Sequence, residues 1–502
     1  MHVIVGPRPL TPEQVVAVAR DDVEVEVAVD ALDEMAASRE QVEALAHADR
    51  PAYGISTGFG ALATTSIPAD KRADLQRSLI RSHAASSGSV VERDVVRAMM
   101  LLRLRTLATG RTGARPLIAQ RLADLLNAGI TPVVREFGSL GCSGDLAPLA
   151  HVALTLMGEG ERGAALAEAG IEPVVLEEKE GLALINGTDG MLAMLLLSVH
   201  DLRLLVTTAD IAAAMSVEAA LGTDRVFADD LQQLRPQPGQ ARSAANMRAV
   251  LDGSSIVASH RGSDDPRVQD AYSLRCAPAV AGAMRDTIEH AAQVASFELV
   301  SAIDNPVVLP DGRVESNGNF HGAPIGYVLD FLAIAVADLA SISERRTDRL
   351  LDRNRSHGLP PFLADDPGVD SGYMIAQYTQ AGIVSELKRL AVPSSVDSIP
   401  SSAMQEDHVS MGWSAGRKLR RAIDGLTRVL AIEVMTAARA VELRAPLEPA
   451  RATAAVVAAL RAAGVAGPGS DRYLSPDIEV AVAEVREGTV AAAARSVAGM
   501  LH

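Results

Sequence analysis

The chain has 502 residues, a formal net charge of −16, 48% hydrophobic residues and only 3% aromatic ones. So large an acidic surplus excludes nucleic acid and anionic membrane surfaces as natural partners. An alanine-rich, aromatic-poor apolar half suits closely packed helices better than sheets.

In chain order, Met1-His-Val-Ile-Val-Gly-Pro-Arg lacks the charged-then-apolar layout of a signal peptide. The two cysteines, Cys142 and Cys276, give no disulfide framework and no metal-ligand spacing. A reducing, cytoplasmic setting is the expectation. Thr11-Pro12-Glu13-Gln14 predicts a helix start, with proline at the first helical position and a capping box. Tyr53-Gly54-Ile-Ser-Thr-Gly58-Phe-Gly60 has the wrong glycine spacing for a dinucleotide loop and predicts a mobile loop with Tyr53 at its base. Helical patterns follow over 70–86, 92–109, 116–128 and 146–158, and His83 lies near the end of the first.

Gly138-Ser-Leu-Gly-Cys-Ser-Gly-Asp-Leu-Ala-Pro-Leu-Ala-His151 is the most informative stretch. Gly144 has no side chain, so its amide nitrogen can approach the carbonyl carbon of Cys142. Closing that five-membered ring and losing water from Ser143 would leave an exocyclic methylidene, an electrophile that no ordinary side chain supplies. The bare tripeptide also reads as a glycine-rich turn entering a helix.

Longer helices are predicted over 190–221, 279–303, 322–355, 409–444 and 477–499. The apolar run Met191–Val199 is soon interrupted by His200, Asp201 and Arg203, so it reads as a buried helix rather than a bilayer span. Strand signals are few, the clearest being the runs around Asp311-Gly312 within 305–316. Between Glu344 and Arg353 acids and arginines interleave at helical spacing, which points to a paired helix surface ending near Gly358-Leu-Pro-Pro361. Helices of this length bury their surfaces best in an elongated bundle that self-associates.

Asn186 (in Leu184-Ile-Asn-Gly-Thr-Asp189), Gln269-Asp-Ala-Tyr272-Ser-Leu-Arg275, Asn317-Gly-Asn-Phe320-His321 and Met404-Gln405-Glu406-Asp407-His408 complete the candidate segments. A guanidinium such as Arg275 binds a carboxylate at two points. An acid such as Glu406 accepts an imidazole N–H, whereas a phenyl ring would leave it unpaired.

Together these segments, from about Tyr53 to Glu406, resemble the aromatic amino acid ammonia-lyase family, whose members build a 4-methylidene-imidazol-5-one (MIO) from their own backbone. The resemblance implies an MIO formed from Cys142, Ser143 and Gly144, with Cys at a position where the family usually has Ala, and no metal or nucleotide cofactor. It implies that Tyr53 in a lid takes the substrate β-proton and that Asn186 lies against the MIO and the substrate amine. Phe320 packs on the ring, and Gln269 and Tyr272 support elimination. Arg275 takes the carboxylate, His83 faces the substrate side chain, and Asp304-Asn305-Pro306 is scaffold. Gln-Glu-Asp-His is similar to the histidine-specific branch, which implies deamination of L-histidine to trans-urocanate and ammonia. Whether the amine or the imidazole ring attacks the MIO is open, and the rival within the family is a tyrosine or phenylalanine lyase or 2,3-aminomutase.

The implied fold is mainly α, an elongated bundle of long helices of the fumarase/aspartase-like lyase superfamily. The chain is expected to form one unit over 1–502, with 1–200 carrying the lid and tripeptide and 201–502 the central bundle and C-terminal helices. The implied assembly is a homotetramer with sites built from several subunits. Asp189 stands where the family has Gln or Ser, and Met404 where Asn is expected.

Overall fold

The computed structural model describes residues 2–48, 51–262, 265 and 268–502. Helices dominate, with three two-stranded sheets among the described residues. The chain divides into two compact units: Met1–Ser198 with Ala291–Asp330 and Pro393–Arg417, and Val199–His290 with Phe331–Val392 and Lys418–His502. A boundary near residue 200 therefore falls inside the helix Asp189–Ala219.

In the first unit, the helix Pro12–Arg20 starts as its sequence dictates. Gln14 N–H donates to Thr11 Oγ1 at 3.2 Å, and Thr11 N–H donates to Gln14 Oε1 at 2.9 Å. It connects two parallel strands, His2–Val5 and Glu24–Val27, whose alternate residues Val3, Val5, Val25 and Val27 point inward. The helix Arg93–Leu107 is buried from Val95 onward, arginines included. Burying a guanidinium is costly unless each N–H finds an acceptor. Arg97 donates to the carbonyls of Val18 and Leu126, both at 3.1 Å.

Three further helices pack on one another: Arg72–His83, Leu146–Leu156 and Glu180–Ile185. His83 ends the first, the tripeptide precedes the second and Asn186 ends the third. The sequence-predicted hairpin forms between Val307–Val308 and Val314–Glu315, with Gly312 at φ +81° in its turn.

In the second unit, Glu433 is fully buried and accepts from Arg346 at 2.5 and 2.8 Å and from Ser216 and Ser343. Arg346 also reaches the carbonyl of Ser273 at 3.3 Å, which ties down the segment around Tyr272.

Two boundaries differ from the sequence reading. The predicted helix over 477–499 is two helices, Ser475–Arg486 and Thr489–Ala498, because Gly488 adopts φ +82° between them. The helix Ala323–Leu351 stops well before Gly358. Arg355 follows it and folds back onto Asp348 and Asp352 at 2.8 and 2.6 Å. The helical stretch 180–219 and the helix 323–351 are long and apolar enough to cross a membrane by composition alone. The apolar window of the former is wholly buried, as expected for Met191–Val199, and that of the latter 61% buried.

Candidate active site

Tyr53, Cys142, Ser143, Asn186, Phe320 and Glu406 line one cavity of about 480 Å³ in the first unit. Asn305, Asn317, His321, Asp407 and His408 share its wall.

The tripeptide is held from both sides. Gly141, at φ +65°, gives its carbonyl to Gly322 N–H at 3.0 Å and to Ser410 Oγ at 2.7 Å. Met411 N–H donates to the Leu140 carbonyl at 2.9 Å. Gly144 sits at φ +78°, and a Cβ there would lie 2.2 Å from the Gly187 carbonyl oxygen. Only glycine fits, on grounds of conformation and of space. Asp145 N–H donates to that same carbonyl at 2.8 Å.

Gly187 is in turn pressed against Arg103, whose Nη2 would lie 2.2 Å from an added Cβ. Arg103 is fully buried and donates to the carbonyls of Ala183, Asn186 and Ile303 at 3.0, 3.2 and 3.0 Å. Its charge is met by Asp189 at 3.0 Å. Burial pushes the Asp189 carboxyl up, and Arg103 pulls against it. A residue without a role in sequence thus anchors the turn that carries Asn186. The Asn186 Oδ1 is buried with no hydrogen-bond partner. Such an orphan on a cavity wall is an acceptor kept for a ligand.

Glu406 faces the tripeptide. Ser143 Oγ donates to its Oε1 at 3.2 Å, while Ser401 Oγ and Cys142 Sγ donate to Oε2 at 2.8 and 3.4 Å. Burial, reinforced by the Glu406 charge, pushes the Cys142 thiol up to about 11. His83 lies within electrostatic reach of Glu406. Burial lowers its pKa, opposed by its bond to the Leu79 carbonyl and by that carboxylate. Its Nδ1 is engaged by Leu79 O at 2.9 Å and Ser82 Oγ at 3.1 Å. The His321 and His408 rings stack at 5.6 Å, a pair that no sequence spacing announced.

Tyr53 accepts from Gly60 N–H at 3.2 Å through its hydroxyl. The short 3₁₀ turn Gly60–Leu62 packs against a second one, Ser402–Met404. Asn305 holds Ser316 Oγ and Asn317 N–H at 2.9 and 3.0 Å, and Asp304 is paired with the buried Lys179. These are the scaffold contacts expected of that segment.

Gln269, Tyr272 and Arg275 belong to the second unit and do not line this cavity. There Tyr272 is 71% exposed, with the Arg275 guanidinium 4.7 Å from its ring centre, and Arg275 Nε donates to Asp270 O at 2.8 Å. Among the described residues, no cluster of three or more His, Cys, Asp or Glu could hold a metal ion.

The residues fit a ring built from the chain itself. The tripeptide lies on a cavity wall, its glycine has no room for a side chain, and a buried acceptor awaits a donor beside it.

Comparison with known proteins agrees in extent and in kind. Residues 10–462 match the family model described as aromatic amino acid lyase. The chain is 64% identical to a histidine ammonia-lyase of Streptomyces avermitilis, with each chain covered in full. Among solved structures it is similar to a tyrosine aminomutase from Streptomyces globisporus (TM-score 0.94, 39% identity, all of both chains). It is also similar to a histidine ammonia-lyase from Trypanosoma cruzi (TM-score 0.90, 37% identity, 99% of this chain and 96% of that one).

Proposed function

The chain belongs to the aromatic amino acid lyase family, and from that premise we propose that it deaminates L-histidine to trans-urocanate and ammonia. The backbone fold does not separate this from the aminomutase alternative, because solved relatives of both kinds share it. The Glu406 carboxylate disfavours a phenyl ring, and the full-length relatives named histidine ammonia-lyase favour histidine over tyrosine, whose phenol O–H also donates to a carboxylate. The observation that carries the reading is Glu406, a carboxylate placed against the tripeptide with His83 within its field. With the Ser143 hydroxyl spent on the ring, an imidazole N–H satisfies Oε1; a phenyl ring leaves that oxygen unpaired at a cost of about 1–3 kcal/mol or more.

We assign the MIO to Cys142, Ser143 and Gly144, which would place an electrophilic carbon against the substrate and so ease the departure of ammonia. The remaining work falls to side chains. Glu406 accepts from the imidazole. His83 keeps Nδ1 on the Leu79 carbonyl, which leaves Nε2 for the substrate. Asn186 Oδ1 is the acceptor for an amine. Tyr53, at the lid base, takes the β-proton, and Phe320 packs on the ring. Arg275 holds the carboxylate while Gln269 and Tyr272 support elimination, in a cytoplasmic homotetramer whose sites draw on several subunits.

The test combines a peptide mass with a near-UV assay for urocanate. The peptide containing Cys142-Ser143-Gly144 should lack two waters, and L-histidine should yield urocanate. Ser143→Ala should keep its helical circular dichroism, lose neither water and form no urocanate. Full activity in Ser143→Ala would overturn the mechanism.

A further inference from the structure

We propose that Cys142 is a positioning residue whose thiol fixes the Glu406 carboxylate and so sharpens the choice of imidazole over phenyl; this rests on the reading of Glu406 as the imidazole acceptor. The three donors around that carboxylate are not equivalent. Ser143 Oγ serves Oε1, whereas Ser401 Oγ and Cys142 Sγ both serve Oε2.

Ring formation changes this arrangement. The Gly144 nitrogen bonds to the Cys142 carbonyl carbon, and the carbonyl oxygen leaves as water with the two amide protons. A second water then carries off the Ser143 hydroxyl together with the Ser143 Cα proton. The Ser143 donor is therefore consumed, and Oε1 is left facing the cavity without a donor from the protein. Cys142 contributes only its carbonyl carbon to the ring and keeps its side chain. Oε2 remains held from two sides, which prevents the carboxylate from rotating to satisfy Oε1 elsewhere.

The thiol suits this task. Buried and beside a carboxylate, it stays protonated at neutral pH and acts as a donor, not as a competing anion. Its side chain is fixed by packing against Val409 and Met411, with Leu140 alongside. With alanine at this position Oε2 would keep Ser401 alone. A substrate N–H would then have to order the carboxylate as well as bind it.

The experiment uses the full-length enzyme and its Cys142→Ala, Cys142→Ser and Ser401→Ala variants, each checked by peptide mass for the loss of two waters. In Cys142→Ala, KM for L-histidine should rise roughly 3- to 10-fold with kcat changed less, as expected for one hydrogen bond. The ratio of kcat/KM for histidine over phenylalanine should fall. Cys142→Ser, which restores a donor, should recover both, and Ser401→Ala should show the same signature as Cys142→Ala. If the wild type turns over histidine and Cys142→Ala matches it in KM and in that ratio, the proposal fails while the reading of the site stands. It also fails if Cys142→Ala does not lose both waters, or if serine does not rescue. If the wild type does not turn over histidine, the reading of Glu406 itself falls.

Discussion

Asp189 shows how a single side chain reaches the chemistry through others. It neutralises Arg103, and Arg103 holds the Asn186 carbonyl and presses on Gly187, which in turn presses on Gly144. Asp189→Asn leaves the guanidinium its three carbonyl acceptors but removes its counter-charge in a fully buried setting. Breaking a buried pair from one side costs roughly 3 kcal/mol. The thermal midpoint should fall by several degrees, and kcat for histidine should drop more than KM rises, because Asn186 is displaced. An unchanged midpoint would mean that the carbonyls alone suffice. At Glu406 the expected effect is on binding: Glu406→Gln should lower kcat/KM for histidine by roughly 10- to 100-fold, the worth of one hydrogen bond to a charged group. A parallel assay with phenylalanine should show no comparable loss.

At the level of elements, the turn Ser402–Met404 stands out, because Ser402, Ala403 and Met404 have φ of +49°, +51° and +70° in succession. Left-handed backbone costs an ordinary side chain roughly 1 kcal/mol, and asparagine tolerates it better. Met404 is 67% exposed, so little packing is lost by replacing it. Met404→Asn should therefore raise the thermal midpoint by a degree or two with the urocanate yield unchanged; a lower midpoint would show that the methionine makes contacts that matter. The family resemblance leads one to expect asparagine at this position, and the left-handed backbone there suits asparagine better than methionine. Elsewhere, elements with local signals were legible, among them the Thr11 capping box and the Asp311-Gly312 hairpin. The helices Val29–Ala46, Met374–Leu390 and Arg451–Ala463 were not read, and none of them has a capping side chain at its start. The site divides the same way. Tyr53, Ser143, Asn186 and Glu406 sit in compact motifs, whereas Arg103 acts through partners that only folding brings near.

For the whole molecule, Asp145 ties stability to pH. It is fully buried and accepts from Ser139 Oγ and Met191 N–H, and burial pushes it from 3.8 up to about 7. Between those values the folded chain holds a proton that the unfolded chain releases. Its contribution is therefore full below pH 3.8 and is lost as pH rises toward 7, with a slope of about 1.4 kcal/mol per pH unit. The midpoint of Asp145→Asn, compared with wild type from pH 5 to 8 at fixed concentration and scan rate, should rise relative to it as the pH increases. A constant difference would show that Asp145 is ionised in the fold. The first unit also draws on three separated stretches of chain, and Ser143 meets Glu406 across 263 residues. During biosynthesis, the tripeptide leaves the ribosome long before Gly322, Ser410 and Met411, which hold its loop, have been made. The loop geometry on which the proposed ring depends therefore exists only once those later segments are present.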